Sequence, residues 1–259
     1  MPEGDSVYRA AAQLDRGLSG QSLTKSDFRV PSLATRDLAG ATVRETVPRG
    51  KHLLTRFDNG LTLHSHLKME GSWVVQPIGR RWRKPWHTAR VVLHTATTEA
   101  VGFQVLIDLV RTDHEDRLVG HLGPDLLGPD WDAALAADNL RAAADTPIGD
   151  ALLDQTRLAG VGNVFKSEIC FLAGVHPQAA AASVPDLDEV VEISKRLLEE
   201  NKDRPFRRTT GDRRAGNRYW VYGRRGSCVR CRTQVRRADL GPPGQERPTY
   251  WCPTCQPQP

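Results

Sequence analysis

No run of apolar residues in the 259-residue sequence reaches membrane-spanning length, and no basic-then-apolar leader stands at its start. Neither a membrane span nor a secretory signal is expected, and a cytosolic location follows. Internal repeats are missing too, which removes solenoid architectures. The glycine-rich stretch LAGVGNVFKSEICF, residues 158–171, has Gly160 and Gly162 but Phe165 where a dinucleotide-binding fingerprint places its third glycine. No strand pattern precedes it, so that fingerprint is rejected. His64 and His66 alternate with Leu63, Ser65 and Leu67 and therefore share one sheet face. With no acidic cluster beside them, they are read as packed or hydrogen-bonded, not as metal ligands.

Cysteine is scarce, and its placement is informative. Four of the five cysteines form two C-x-x-C knuckles, Cys228/Cys231 and Cys252/Cys255, with twenty residues between them. Four thiolates at this spacing in a reducing compartment fit one tetrahedral zinc ion better than disulfides. A closed set of four protein sulfurs leaves no open coordination position, so the ion is expected to be structural. Its task would be to hold the intervening loop, ADLGPPGQERPTYW, whose Arg247 would be a firmly presented donor to phosphate oxygens. Cys170 stands alone on a helical stripe and reads as a small core residue.

Charge is uneven. From Lys202 to Arg237 there are thirteen Lys/Arg against two acids, a local balance of +11, which leaves −6 for the remainder of a chain whose net charge is +5. A basic block in an otherwise acidic chain fits a polyanion such as nucleic acid, or else a solvated charged face. Phe206, Tyr219, Trp220 and Tyr222 within the block indicate that it folds. Apolar residues at 39% and charged residues at 26% exclude wholesale disorder.

Two domains are expected at this length. Asp5 or Ser6 can cap a helix with apolar positions Val7, Ala10, Ala11, Leu14 and Leu18, ended by Gly17 and Gly20. Short β-rich runs follow to about residue 110: SLTKSDFRV, ATVRETV, KHLLTRF, LTLHSHL, GSWVVQP, ARVVLHT and FQVLIDLV. Asp58-Asn59-Gly60 signals a type I′ hairpin, and the whole suggests a sandwich or barrel. Residues 79–90, with Trp82 and Trp86 among basic groups, read as an exposed hairpin loop that can also touch nucleic acid. The Gly/Pro cluster GHLGPDLLGPDW, residues 120–131, marks a boundary, and helices are expected near 131–143, 148–154, 163–173 and 186–201.

The chain begins Met1-Pro2-Glu3. A small second residue normally allows Met1 to be removed, leaving the secondary amine of Pro2 at the positive end of the first helix, which favours the uncharged amine. Such an amine can be a nucleophile. Asn163, opening a helix after a glycine turn, would place backbone N–H groups toward an anion. Lys51, at the head of a strand, is by itself no more than a solvated lysine.

MPEGD, RGKHLL, AGVGN and RPTYWCPTCQ, in this order, resemble the formamidopyrimidine-DNA glycosylase and endonuclease VIII family over nearly the whole chain. The resemblance implies an α+β protein: an N-terminal helix on a β-sandwich (1–124), a helical domain with a helix-two-turns-helix motif (125–218) and a zinc-ribbon finger (219–259), with damaged DNA bound between the domains. It further implies Pro2 as nucleophile, Glu3 as general acid, Lys51 and Asn163 as phosphate ligands and Arg247 as the finger arginine. Met69 resembles the methionine that wedges into the gap left by the extruded nucleotide. The Arg-Phe-Gly segment that supplies the other wedge residues in the formamidopyrimidine branch is absent, IDLVRTDHEDRL standing in its place. That departure, the PEGD start and the Arg-Pro-x-Tyr-Trp-Cys ending resemble the endonuclease VIII branch. Oxidised pyrimidines are then the expected substrates, oxidised purines the alternative, and a monomer the expected state. Two rival classes remain: an amino-terminal-proline tautomerase, which has no use for the zinc ribbon, and a non-catalytic zinc-ribbon DNA-binding protein.

Overall fold

The computed structural model describes residues 2–212 and 214–258, so Met1, whose removal is expected above, and Arg213 of the basic block lie outside the described residues. The chain divides into two compact units, Met1–His121 and Leu122–Pro259.

In the first unit, helix α1 (Gly4–Leu18) carries Val7, Ala11, Leu14 and Leu18 on one face, and all four are buried. It packs against strands of two four-stranded antiparallel sheets. One sheet runs β1 (Lys25–Phe28), β6 (Ala89–His94), β7 (Thr98–Phe103), β5 (Ser72–Pro77); the other runs β2 (Val43–Arg49), β3 (His52–Phe57), β4 (Leu61–His66), β8 (Leu106–Arg111). Leu53, Phe57 and Leu63 from one sheet share a buried core with Trp73, Val91 and Leu93 from the other and with α1. This is the expected helix on a β-sandwich. Close approach is bought at Gly17, where a Cβ would stand 2.6 Å from Val75 Cγ1 of β5.

Three local expectations are corrected. The first helix is capped by Glu3, not by Asp5 or Ser6: Ser6 lies inside the first turn and its Oγ accepts the Glu3 N–H at 2.8 Å. The β3–β4 loop is not type I′, because of its residues Asp58, Asn59 and Gly60 the last alone has positive φ (+75°); the result is a three-residue loop. Strand β7, TEAVGF, was not anticipated, although it pairs with both β5 and β6. Its glycine and alanine have low strand propensity, yet at the glycine the fold has no room for more: a Cβ at Gly102 would sit 2.8 Å from Val105 and 2.9 Å from Val91.

In the second unit, helices α3 (Ala133–Arg141), α4 (Ile148–Ala151), α5 (Asn163–Leu172) and α6 (Leu187–Asn201) enclose a core including Leu140, Phe165, Ile169, Val190 and Leu197. Before them, short α2 (Asp116–Val119) ends the first unit. A two-stranded antiparallel ribbon, β9 (Arg236–Leu240) and β10 (Arg247–Trp251), lies against α5. Among the described residues no helix is long and apolar enough to cross a membrane.

Candidate functional site

The sequence-predicted residues fall into two groups, one in each unit. In the first, Pro2 is half-buried immediately ahead of α1, and Glu3 is fully buried at the helix N-terminus. The Glu3 carbonyl accepts the N–H groups of Ser6 and Val7, both at 3.0 Å, so the helix starts under the Glu3 side chain. Because α1 is anchored by its apolar face, Pro2 and Glu3 are held on a rigid element. Buried Asp5 lies 3.8 Å from Arg9 one turn on, adding a second carboxylate where the helix dipole is positive.

Lys51 lies in the tight turn between β2 and β3, where Gly50 takes φ +56°. Next to it is a histidine cluster of which the sequence revealed only two members. His52 pairs with His66 across β3 and β4, and His52 Nδ1 lies 2.8 Å from His64 Nε2, their rings stacked at 5.0 Å. His66 stands edge-on to His52 at 5.1 Å, and its Nδ1 accepts the Lys68 N–H at 2.8 Å. In the neutral ring the proton therefore sits on Nε2. Burial, with the added repulsion of neighbouring histidines and lysines, pushes His52 down to about 3 and His66 down to about 4. Both are neutral at cellular pH. Burial lowers His64 as well, against the pull of Asp108.

Met69 occupies the turn after β4 and is 63% exposed, an unusual state for a large apolar side chain. The turn is fixed beneath it. Gly71 N–H donates to the Leu67 carbonyl at 2.8 Å, and a Cβ on Gly71 would meet that oxygen at 2.4 Å.

In the second unit, buried Asn163 begins α5, and its Nδ2 donates to the Pro248 carbonyl at 2.7 Å. This bond ties the helix–turn asparagine to the residue after Arg247, so the two expected phosphate ligands are brought together. Arg247 opens β10 on the exposed end of the ribbon, opposite Leu240, with one guanidinium N–H on the Glu246 carbonyl at 3.1 Å. The Cys228, Cys231, Cys252 and Cys255 sulfurs all lie within 4.8 Å of one another, Cys231 and Cys252 at 3.4 Å. Thiolates around one tetrahedral zinc stand about 3.8 Å apart, given Zn–S of about 2.3 Å, so the set fits that ion. Hydrogen bonds from Thr233 hold the Cys231 thiol down at about 6, whereas burial and the crowding of neighbouring sulfurs push Cys252 and Cys255 up. Only a cation can let all four ionise together.

Sequence reasoning missed Glu168. Fully buried on α5, its carboxylate accepts the backbone N–H groups of Trp220, Val221 and Tyr222 at 2.7, 2.9 and 2.8 Å, and the Thr209 hydroxyl. Burial pushes its carboxyl up while the four donors pull it down. It fastens the basic segment to the helix. The only signal in the sequence is an acid whose neighbours one helical turn away, Val164, Phe165, Phe171 and Leu172, are all apolar. The block itself is folded partly by stacking, with Arg207 over Phe165, Arg218 over Phe206 and Arg230 over Phe171 at 4.7, 4.8 and 4.5 Å.

The Formamidopyrimidine-DNA glycosylase N-terminal domain matches residues 1–106, and the Formamidopyrimidine-DNA glycosylase H2TH domain matches residues 122–201. The chain belongs to the formamidopyrimidine-DNA glycosylase and endonuclease VIII family. It is 56% identical over 261 residues to the probable endonuclease 8 2 of Streptomyces coelicolor, spanning 99% of this chain and 94% of that protein. To the DNA-(apurinic or apyrimidinic site) lyase Nei2 of Mycolicibacterium smegmatis it is 47% identical over 258 residues, 99% of each chain. Among solved structures, a complex between wild-type Lactococcus lactis Fpg and N7-benzyl-Fapy-dG-containing DNA superposes with a TM-score of 0.79 at 24% identity, covering 99% of this chain and 100% of that one. That last likeness speaks to the fold.

Proposed function

We propose that this protein is a bifunctional DNA glycosylase and abasic-site lyase of base excision repair, removing oxidised pyrimidines through a Schiff base on Pro2. The observation that carries the reading is the buried Glu3 carboxyl at the N-terminus of an anchored helix, directly behind the one residue able to offer a terminal secondary amine once Met1 is removed. The relatives named endonuclease 8 and abasic-site lyase support it. The protein acts as a monomer in the cytoplasm, on DNA.

A base within a duplex is out of reach of Pro2, so the damaged nucleotide must be turned out, at a cost of a few kcal/mol that damage lowers. Met69, apolar and exposed on a fixed turn, fills the gap left behind. The neutral Pro2 nitrogen attacks C1′ of the sugar as the glycosidic bond breaks with its electron pair leaving on the base, and the proton of the Pro2 nitrogen passes to the departing base; Glu3 delivers its proton to the ring oxygen, and the C1′–O4′ bond opens as the nitrogen lone pair forms the C1′=N bond. The product is an iminium. A secondary amine has no second proton to lose, so this species stays cationic and acidifies C2′. Loss of the C2′ proton expels the 3′ phosphate by breaking C3′–O3′, and a further elimination breaks C5′–O5′ to expel the 5′ phosphate. Lys51, Asn163 and Arg247 hold backbone phosphates and so fix the sugar for attack. One zinc ion on Cys228, Cys231, Cys252 and Cys255 supplies the cross-link that keeps the Arg247 ribbon in shape.

Borohydride reduction during turnover tests this reading. A covalent protein–DNA adduct should form on a duplex carrying an oxidised pyrimidine, map to Pro2, and disappear when an uncleaved tag precedes Pro2. Adduct formation faster on an oxidised purine would reassign the substrate; no adduct on any damaged duplex would overturn the chemistry and favour a DNA-binding protein without catalysis.

A further inference from the structure

We infer that Lys166 is the positioning residue that sets Arg247 against the DNA, acting through the hydroxyl of Thr249. The inference rests on the proposed role of Arg247 as a phosphate ligand. Lysine is among the side chains least often buried, yet Lys166 is 1% exposed, on α5 one turn after Asn163. Its Nζ donates to Thr249 Oγ1 at 2.7 Å, and Thr249, 1% exposed, donates its hydroxyl proton to the Arg247 carbonyl at 3.0 Å. The direction of this relay is forced. An ammonium can only donate, so the Thr249 oxygen must accept, and its single proton is directed onward. Chained in this way through two buried side chains, each bond polarises the next.

The surroundings fit a device for alignment. The Lys166 stem passes over Gly149, where an added Cβ would meet Lys166 Cδ at 3.4 Å and the Pro177 carbonyl at 2.9 Å. Beside Lys166 and Thr249 is a cavity of about 110 Å³, also lined by Asp150 and Gly241. Asp150 feels the Lys166 charge, which opposes the upward push of its burial. With Asn163 on the Pro248 carbonyl, α5 side chains govern three consecutive residues of β10, Arg247 to Thr249. Proline has no N–H to donate to a ladder, so this stretch of the ribbon leans on α5 where an ordinary strand would lean on its neighbour. An arginine at the end of a two-stranded ribbon would otherwise be free to swing.

The test uses the zinc-loaded full chain and the salt dependence of binding to an abasic-site-analogue duplex. Arg247→Ala should flatten the log–log slope by about 0.9, one phosphate contact. Lys166→Met and Thr249→Val should each flatten it by the same amount, Thr249→Ser should restore it, and none should add to Arg247→Ala. A loss of stability alone would not move the slope, so the readout separates alignment from folding, and Thr249→Val serves if Lys166→Met folds poorly. Wild-type slopes for both Lys166→Met and Thr249→Val beside a flattened Arg247→Ala would overturn the positioning role. An unchanged slope for Arg247→Ala would instead remove the phosphate role of Arg247, and the positioning role with it.

Discussion

The two units hold their functional groups by different means. Pro2 and Glu3 ride on α1, whose apolar stripe sits in a core drawn from two sheets, so their position is enforced by many weak contacts. Arg247 rides on a two-stranded ribbon beside a small cluster whose buried members, among the described residues, are Phe171 of α5, Val221, Val235 and two cysteines expected to be metal ligands, Cys228 and Cys252. Such a ribbon is marginal by itself. It is placed by a few strong bonds: the four thiols, Asn163, Lys166 and, for the adjoining basic segment, Glu168. Packing spreads the risk over many residues, whereas polar pinning concentrates it, so the second unit should break at single positions where the first does not.

The comparison is broken most severely by removing the metal. Cys252→Ser should lose stoichiometric zinc, disorder the ribbon and abolish tight DNA binding, since structural zinc contributes on the order of 10 kcal/mol to such folds. The circular dichroism of the sandwich and the folding of α1 should persist. Full zinc content with unchanged DNA affinity would show that the ribbon does not depend on these thiols.

Glu168→Ala comes next. Three N–H groups would lose their acceptor, that of Val221 buried and those of Trp220 and Tyr222 half-buried, at up to roughly 1–3 kcal/mol each before relaxation, so the second unit should unfold more easily in denaturant while the first keeps its midpoint. A single unshifted transition would mean that the basic segment is held otherwise.

The smallest effect sharpens the other side. His52 and His66 are held well below the ordinary histidine range, so the unfolded chain binds more protons than the native one between about pH 4 and 6.5. Their contribution is fully present above about pH 6.5 and declines as pH falls through 4 toward 3. His52→Asn should flatten that decline for the first unit and leave the second untouched. An identical acid profile in the variant would place the sensitivity elsewhere.

How much of this was legible in the sequence depended on whether the signal was local. The zinc knuckles, the α1 stripe and strands such as β3 and β4 declare themselves through spacing alone. Strand β7 did not, because Gly102 is fitted to what packs against it from β6 and the following loop. His52 was passed over since its partners, His64 and His66, are brought to it only by strand pairing. Nothing local marks Glu168 or Lys166: both are buried, and their partners lie more than forty residues away in sequence. Asn163 and Arg247 are candidates from the glycine turn and the zinc-held loop, strengthened by resemblance, and the hydrogen bond that connects their segments is visible only in three dimensions.

The division between chemistry in the first unit and grip in the second is tested most directly by one pair of rates. Glu3→Gln should be compared with wild type on a duplex carrying an oxidised pyrimidine and on the same duplex carrying a pre-formed abasic site. The abasic site already presents an aldehyde to Pro2, so the account predicts a loss of order 10²- to 10⁴-fold in base excision and a far smaller loss in strand cleavage. Equal losses on both substrates would contradict it: Glu3 would then serve to place the Pro2 amine, and its role as the acid would be withdrawn.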